Sequence, residues 1–303
     1  MRATGRFAPS PTGPLHLGNL RTALLAWLFA RAQGAGFLVR MDDLDTGRVR
    51  AGVAAGQLAD LAALGLDWDG PVVVQSERRE HYEAAIARLD ADGLLYPCFC
   101  TRREIREAAS APHGPLPEGA YPGTCLRLSA AERSERERAG RPPALRLRAG
   151  GARVRFTDRL LGLQEGAVDD LVVRRNDGAP AYNLAVVVDD AAQGVEEVVR
   201  GDDLAEGTPR QILLARMLGL PVPSYAHVPL VLGPDGARLA KRHGAVTLAE
   251  APGTPEEVRA QLMRTVGLAE PGEVPSMDDL LERFDPARLP RTPTVLTTAR
   301  PGP

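Results

Sequence analysis

The period of the apolar positions changes repeatedly along the first hundred residues. Residues 3–8 read as a short strand. From about Gly18 onward, Leu20, Leu24, Trp27 and Leu28 recur at the spacing of one helix face, closed by Arg31. A strand over 36–41, a helix over 51–64, a short strand over 72–74 and a helix over 78–93 follow. Strands alternating with helices at this spacing predict parallel strands joined by crossover helices. The rhythm breaks between about 98 and 170. That stretch holds a Pro/Gly-rich loop over 112–122, a charged helix over 130–139, and short strands over 145–148 and 153–156. The alternation then resumes with a strand over 171–174, a helix over 181–189, a strand over 197–200, a helix over 204–218 and a strand over 228–232. Asp203, with Glu206 three residues on, reads as a capping box for the last of these helices. Two more helices are expected over 255–266 and 276–284. The end, 289–303, is rich in Pro, Thr and Arg and is expected to be disordered. No internal repeat is visible.

Composition adds little to this pattern but excludes some classes. With 303 residues, 44% of them hydrophobic and 25% charged, the chain is an ordinary globular one, with room for one large α/β unit or two domains. No apolar run is long enough to span a membrane, and the N-terminus runs straight into a strand without a signal-peptide pattern. A cytoplasmic protein with no membrane partner is expected. A net charge of −2 gives no global field for nucleic acid, although a local Arg-lined face would suffice for RNA. Among the 37 basic residues the only lysine is Lys241, a compact ammonium of the kind that suits a phosphate. The three cysteines, Cys98, Cys100 and Cys125, are an odd number and argue against a disulfide framework.

Candidate chemistry gathers in three places. The segment 6–19 (Arg-Phe-Ala-Pro-Ser-Pro-Thr-Gly-Pro-Leu-His-Leu-Gly-Asn) ends a strand, passes through a proline-stiffened loop and opens a helix. Open parallel sheets bind ligands at such strand ends. Gly18 would allow close approach to the backbone, the first-turn N–H groups would favour an anion, and His16 could donate to a phosphate. The second place is a strand, a tight turn and a basic loop around Lys241. The third is metal-like: Cys98 and Cys100 sit one residue apart and Cys125 lies beyond a loop. Zinc prefers four tetrahedral ligands, and Tyr121 and His113 are the candidates for the fourth.

The run 9–18 (Pro-Ser-Pro-Thr-Gly-Pro-Leu-His-Leu-Gly), continuing through Arg21-Thr-Ala-Leu24, resembles the first signature of class I aminoacyl-tRNA synthetases, in the form used by the glutamyl branch. The resemblance implies that His16, Gly18 and Asn19 pack on ATP, carried with Mg²⁺. The run 238–242 (Arg-Leu-Ala-Lys-Arg) resembles the second signature, a Lys-Met-Ser-Lys-Ser loop. There Lys241 falls on the lysine that stabilises leaving pyrophosphate, while Arg238 and Ala240 depart from the pattern. His16 and Lys241 are thereby the implied catalytic residues. Arg6, Ala8, Ser10, Asp42, Tyr182 and Arg200 match the residues that surround glutamate in that branch. Asp42 is one methylene shorter than the usual Glu, and Arg40 and Asp45 read as structural ion-pair partners. The spacing Cys-x-Cys…Tyr-x-x-x-Cys is similar to a single structural Zn²⁺ site at Cys98, Cys100, Tyr121 and Cys125.

The resemblance covers roughly 4–250, and only about fifty residues follow the Lys241 loop, too few for the branch's helical anticodon-binding body. In this the chain is similar to glutamyl-queuosine tRNA(Asp) synthetases. That subfamily activates L-glutamate with ATP and transfers it to queuosine in the anticodon of tRNA(Asp). A monomer is expected. The alternatives are a truncated glutamyl-tRNA synthetase charging tRNA(Glu) and a non-catalytic RNA-binding relic. The expected fold class is α/β, a Rossmann-like doubly wound parallel sheet with an inserted zinc-containing α+β subdomain and a small C-terminal helical part. Its expected divisions are the first catalytic half over 1–97, the insertion over 98–170, the second half over 171–250, the helical part over 251–288 and the tail over 289–303.

Overall fold

The computed structural model describes residues 4–101, 103–105, 120–233 and 246–295. His113, Arg238, Ala240 and Lys241 lie outside the described residues. The main sheet begins with β1 (Thr4–Phe7), β2 (Phe37–Met41) and β3 (Val73–Val74), and continues with β6 (Arg153–Asp158), β7 (Gly162–Ala167), β9 (Val195–Gly201) and β10 (Ser224–Val228). Its order is β3-β2-β1-β9-β10-β6-β7. All neighbours run parallel except the β6–β7 hairpin at one edge. From β1 the chain crosses over to β2 on one side, and from β9 to β10 on the other. The strand order therefore reverses between β1 and β9, the place where such sheets open a crevice beyond their carboxyl ends.

Helices cover both faces of the sheet. On one face lies α1 (Leu17–Arg31), with α2 (Val53–Ala63) beside it. On the other lie α3 (Arg79–Ala91), α5 (Tyr182–Ala192) and α6 (Thr208–Met217). Each face has its own apolar cluster, the first around Leu24, Leu28, Phe37 and Leu61, the second around Tyr82, Leu89, Leu184 and Ile212. The helix α1 is not amphipathic, as its spacing suggested, but buried on every side from Leu20 to Ala30. Its outer side is covered by α7 (Pro255–Arg264) and α8 (Met277–Arg283), where Phe29 meets Phe284 edge-on at 5.1 Å. A helix apolar all round needs such a second layer.

Between the two halves, β4 (Leu95–Cys98), β5 (Ala144–Leu147) and β8 (Val172–Arg174) form a small antiparallel sheet, and α4 (Ala130–Arg138) lies outside it. The strand expected over 153–156 inside the insertion is β6, which with β7 extends the main sheet as a hairpin. Asp158 fixes this junction by accepting from the backbone N–H of Leu160, Leu161 and His227, which ties the hairpin to β10. Gly166 makes the packing possible, because a Cβ there would lie 2.6 Å from the Pro209 ring on α6.

Three expectations need correcting. The capping box at Asp203 and Glu206 does not form, because 202–207 is a 3-10 turn and α6 starts at Thr208, with Gly207 as its cap and Pro209 in its first turn. The strand expected over 228–232 is broken at Pro229 into β10 and the two-residue β11 (Val231–Leu232). The tail is ordered as far as 295. Leu289 is buried, and β12 (Thr294–Val295) pairs in parallel with β11. Arg21, buried within α1, holds this end. It donates to the Pro229 carbonyl, to Thr294 Oγ1 at 2.9 Å and to Thr265 Oγ1 at 3.3 Å. Burial lowers the Arg21 guanidinium to about 10, with Asp202 acting in the opposite sense. Among the described residues no helix is long and apolar enough to cross a membrane.

Candidate active site

A cavity of about 560 Å³ opens at the reversal between β1 and β9. Nine of the residues singled out from the sequence line it: Arg6, Ala8, Ser10, His16, Gly18, Asn19, Asp42, Tyr182 and Arg200. They arrive from separate elements. Arg6 lies next to the end of β1, Ala8, Ser10, His16, Gly18 and Asn19 follow along the loop into α1, Asp42 follows β2, Tyr182 opens α5, and Arg200 lies near the end of β9. Tyr182 is half exposed at the cavity, while Arg6, Asp42 and Arg200 are buried.

The proline loop is held by a residue the sequence did not single out. Gln57, buried on α2, donates to the carbonyls of Ser10 (3.1 Å) and Gly13 (2.7 Å). The backbone N–H of Asp42 donates to the Pro9 carbonyl at 2.9 Å. The loop thus keeps one shape by donation from both neighbouring connections.

At the start of α1, His16 is the cap. Its Nδ1 accepts from the Asn19 backbone N–H at 3.2 Å, and Asn19 Oδ1 accepts from the His16 N–H at 3.3 Å. An accepting Nδ1 places the proton of the neutral ring on Nε2, the nitrogen able to donate. Gly18 acts differently from expectation. A Cβ there would lie 3.0 Å from the His16 ring, so the close neighbour is His16 itself. The first-turn N–H groups are also less available than expected, because Leu17 N donates to the Val246 carbonyl at 3.0 Å and Asn19 N to His16. The residues flanking the segment that carries Lys241 lie here too. Val231 lines the cavity and Thr247 bridges to His16.

Behind the cavity wall lies a charge network, which Arg6 and Asp42 join to the cavity. Asp190, on α5, accepts from Arg6 Nε and Nη2, both at 3.3 Å, and from Arg40 Nη1 at 2.6 Å. Arg40 is fully buried and also donates from Nε to Asp42 at 2.8 Å and from Nη1 to Gln193 at 3.0 Å. Burial would raise the Asp190 carboxyl, but Arg6 and Arg40 outweigh it and hold it below its ordinary value. For Asp42 the balance reverses, and burial pushes its carboxyl up to about 6 against the pull of Arg40. Arg40, read as a structural ion-pair partner, is the centre of the network. Asp45 lies outside it, half-buried, 3.9 Å from Arg48. Asp190 carried a faint signal in the sequence, since two acids close the apolar helix run 184–188.

Arg200 is held differently. Its Nε donates to His227 Nε2 (3.1 Å), Nη1 to Gln211 Oε1 (2.8 Å) and Nη2 to Thr208 Oγ1 (2.8 Å). None of these three holding residues had a sequence signal. Burial lowers the Arg200 guanidinium.

The cysteines meet away from this cavity. The Sγ atoms of Cys98, Cys100 and Cys125 all lie within 4.8 Å of one another, and Cys100 and Cys125 are 3.4 Å apart. That is too long for a disulfide and near the roughly 3.8 Å edge of a tetrahedron with Zn–S bonds of ~2.3 Å. The Tyr121 hydroxyl lies 3.4 Å from Cys98 Sγ and 3.8 Å from Cys100 Sγ. Hydrogen bonds from Cys100 and Cys125 draw the Cys98 thiol down, and the bonds of Cys100 with Cys125 and Cys98 push the Cys100 thiol up. Three sulfurs and a phenol oxygen converging in a buried pocket fit a thiolate-binding metal ion. Tyr121 N also donates to Asp169, which pairs with Arg210 on α6, so the cluster is braced against the main fold.

Comparison with known proteins agrees with this geometry. The family described as tRNA synthetases class I (E and Q), catalytic domain, matches residues 3–296. The chain belongs to this family. It is 65% identical over 97% of its length to a protein of Nocardia farcinica named glutamyl-Q tRNA(Asp) synthetase, covering 93% of that protein. It is 54% identical over 95% of its length to one of the same name from Symbiobacterium thermophilum, covering 94% of it. Among solved structures, a glutamate tRNA ligase from Elizabethkingia meningosepticum, in complex with its amino acid, superposes with a TM-score of 0.83 at 26% identity. That match covers 98% of this chain and 68% of the ligase. The synthetase is thus a ligase-type enzyme of the class I fold.

Proposed function

We propose that this synthetase activates L-glutamate with ATP and transfers it to queuosine in the anticodon of tRNA(Asp). The observation that carries the reading is the cavity at the sheet reversal, whose wall combines two guanidiniums, Arg6 and Arg200, with the carboxylate of Asp42, and which Asp203 also lines. A dicarboxylate bearing one ammonium requires that combination. The relatives' shared name supports the acceptor over tRNA(Glu), and a formed pocket with intact acid–base partners speaks against a non-catalytic relic.

In this reading Asp42 takes the ammonium. Arg200 takes the side-chain carboxylate. Arg6, two of whose N–H groups are turned to Asp190, keeps the others for the remaining polar atoms of the substrate. Ala8 and Ser10 supply the adjacent wall, and Tyr182 covers the mouth. The glutamate α-carboxylate attacks the ATP α-phosphorus in line, the bond to pyrophosphate breaks, and glutamyl-adenylate forms. A queuosine hydroxyl then attacks the activated carbonyl, gives up its proton, and AMP leaves. The contribution of the chain is positioning and charge stabilisation by His16 Nε2–H, Gly18, Asn19 and Lys241. Mg²⁺ accompanies ATP and offsets phosphate charge. A single Zn²⁺ held by Cys98, Cys100, Tyr121 and Cys125 would order the connecting subdomain without entering the reaction. The protein acts as a cytoplasmic monomer.

Glutamate affinity should depend on pH through Asp42. An ammonium needs the carboxylate, which forms above about pH 6 and is lost below it, whereas the substrate's own carboxyls stay ionised there. The dissociation constant of glutamate, measured by calorimetry, should be level above about pH 7 and rise towards tenfold per unit below about 6. A flat profile over this range would remove Asp42 from the ammonium site.

Metal analysis should find about one zinc per chain, with Tyr121→Phe losing it faster to a chelator than the parent protein. Equal retention would exclude Tyr121 as a ligand. The function itself is tested with radiolabelled glutamate, ATP and three acceptors: tRNA(Asp) with queuosine, tRNA(Asp) without it, and tRNA(Glu). Label should appear on the first alone. Label on tRNA(Glu) would favour the truncated-synthetase alternative. No labelling, together with no glutamate-dependent exchange of pyrophosphate into ATP, would favour the relic.

A further inference from the structure

The buried arginines of the cavity fall into two kinds. Arg6 and Arg40 are each neutralised by carboxylates, Asp190 for both and Asp42 for the second. Arg200 is as deeply buried, 5% exposed, yet every group that holds it is neutral: an imidazole nitrogen, an amide oxygen and a hydroxyl. Among the described residues no carboxylate reaches salt-bridge distance of it. The imidazole is kept in its role by Asp158, which lies 2.6 Å from His227 Nδ1, is itself buried, and accepts two more backbone N–H groups from its own turn. A proton shared with Asp158 on Nδ1 leaves a lone pair on Nε2, directed at Arg200.

A guanidinium out of water and without a counter-ion is costly unless a ligand supplies the charge. We infer that His227, Gln211 and Thr208 form a neutral cradle that fixes Arg200 while leaving its charge uncompensated, so that the cavity selects the side-chain carboxylate of glutamate over the uncharged amide of glutamine. The inference rests on the reading of Arg200 as the group that takes that carboxylate. The cradle residues are positioning and specificity-determining residues and touch the substrate only through Arg200. Burial lowers the Arg200 guanidinium, whereas Asp190 and Asp42 outweigh burial and raise that of Arg40, as expected if only Arg40 is neutralised internally.

Gln211→Glu separates this role from simple tethering. The replacement is isosteric, keeps an acceptor 2.8 Å from Arg200 Nη1, and asks only that the Asn183 amide, 3.2 Å from Gln211 Nε2, turn over to donate. A tether would be kept or strengthened by this change, but an uncompensated charge would be lost. The dissociation constant of glutamate should rise roughly 10- to 100-fold, the scale of one charged hydrogen bond. The preference for glutamate over glutamine in pyrophosphate exchange should fall in step. Gln211→Met, which removes the acceptor and keeps the charge, should weaken glutamate binding less and leave the preference intact. Thr208→Asp places the carboxylate at the first residue of α6, where an acid is tolerated, and gives the same readout if Gln211→Glu does not fold. Arg200→Ala is the reference. If it loses glutamate while a folded Gln211→Glu or Thr208→Asp binds as the parent does, the cradle is only a tether and the inference is overturned. If Arg200→Ala itself binds glutamate normally, the reading of Arg200 fails, and the inference with it.

Discussion

The Asp190 carboxylate lies between two buried guanidiniums, and the arrangement of the cavity depends on it. Arg6 comes from β1 and Arg40 from β2, adjacent parallel strands whose carboxyl ends frame the cavity. Without an acid between them, two like charges would be forced together in a region closed to water. With it, one carboxylate on α5 pins both strands to the helix beneath them and settles where Arg6 points. The cost of burying three charges is offset only because each is paired and hydrogen-bonded at close range. Asp42 is then oriented by Arg40, and the proline loop by Asp42 through its backbone N–H to Pro9.

Around this centre the fold assigns opposite tasks to chemically identical residues. Arg40 is neutralised and serves as architecture, Arg6 pairs with the same carboxylate while still lining the cavity, Arg200 is held by neutral acceptors, and Arg21 binds three oxygens far along the chain and anchors the C-terminal strand against β11. Buried arginine suits all four positions because its planar fork can satisfy several acceptors at once. The cysteine cluster lies beside the small antiparallel sheet and is linked to α6 through Asp169 and Arg210.

Much of this was legible in the chain. Strand–helix alternation gave the parallel sheet, and the Pro/Gly-rich word at 9–18 located the cavity, because local chemistry and strand ends are both written in short segments. The strand over 153–156 joins the main sheet through a bond from Asp158 to a histidine 69 residues away, which no local pattern encodes. The tail was read from composition alone, and its pairing with β11 is a tertiary contact that composition does not encode. The same limit left Asp190 with only a faint mark, an acid closing an apolar run, and hid Gln57, Gln211 and His227. Each is an unremarkable residue in its own segment and gains its role from what the fold brings opposite. Asp42 was identifiable by position, but its raised pKa arises from burial, which only the folded structure supplies.

Asp190→Asn tests this account most directly. The exchange keeps shape and removes one charge. Urea unfolding near neutral pH should show a loss of roughly 3–5 kcal/mol, the scale of a broken buried ion pair, together with weakened glutamate binding. Because the folded-state carboxyl is held below its ordinary value, its contribution is present above about pH 4 and lost as pH falls through the lowered value. The stabilities of the parent and the variant should therefore converge in acid. Equal stability at neutral pH with unchanged glutamate affinity would contradict the claim that this carboxylate organises the cavity.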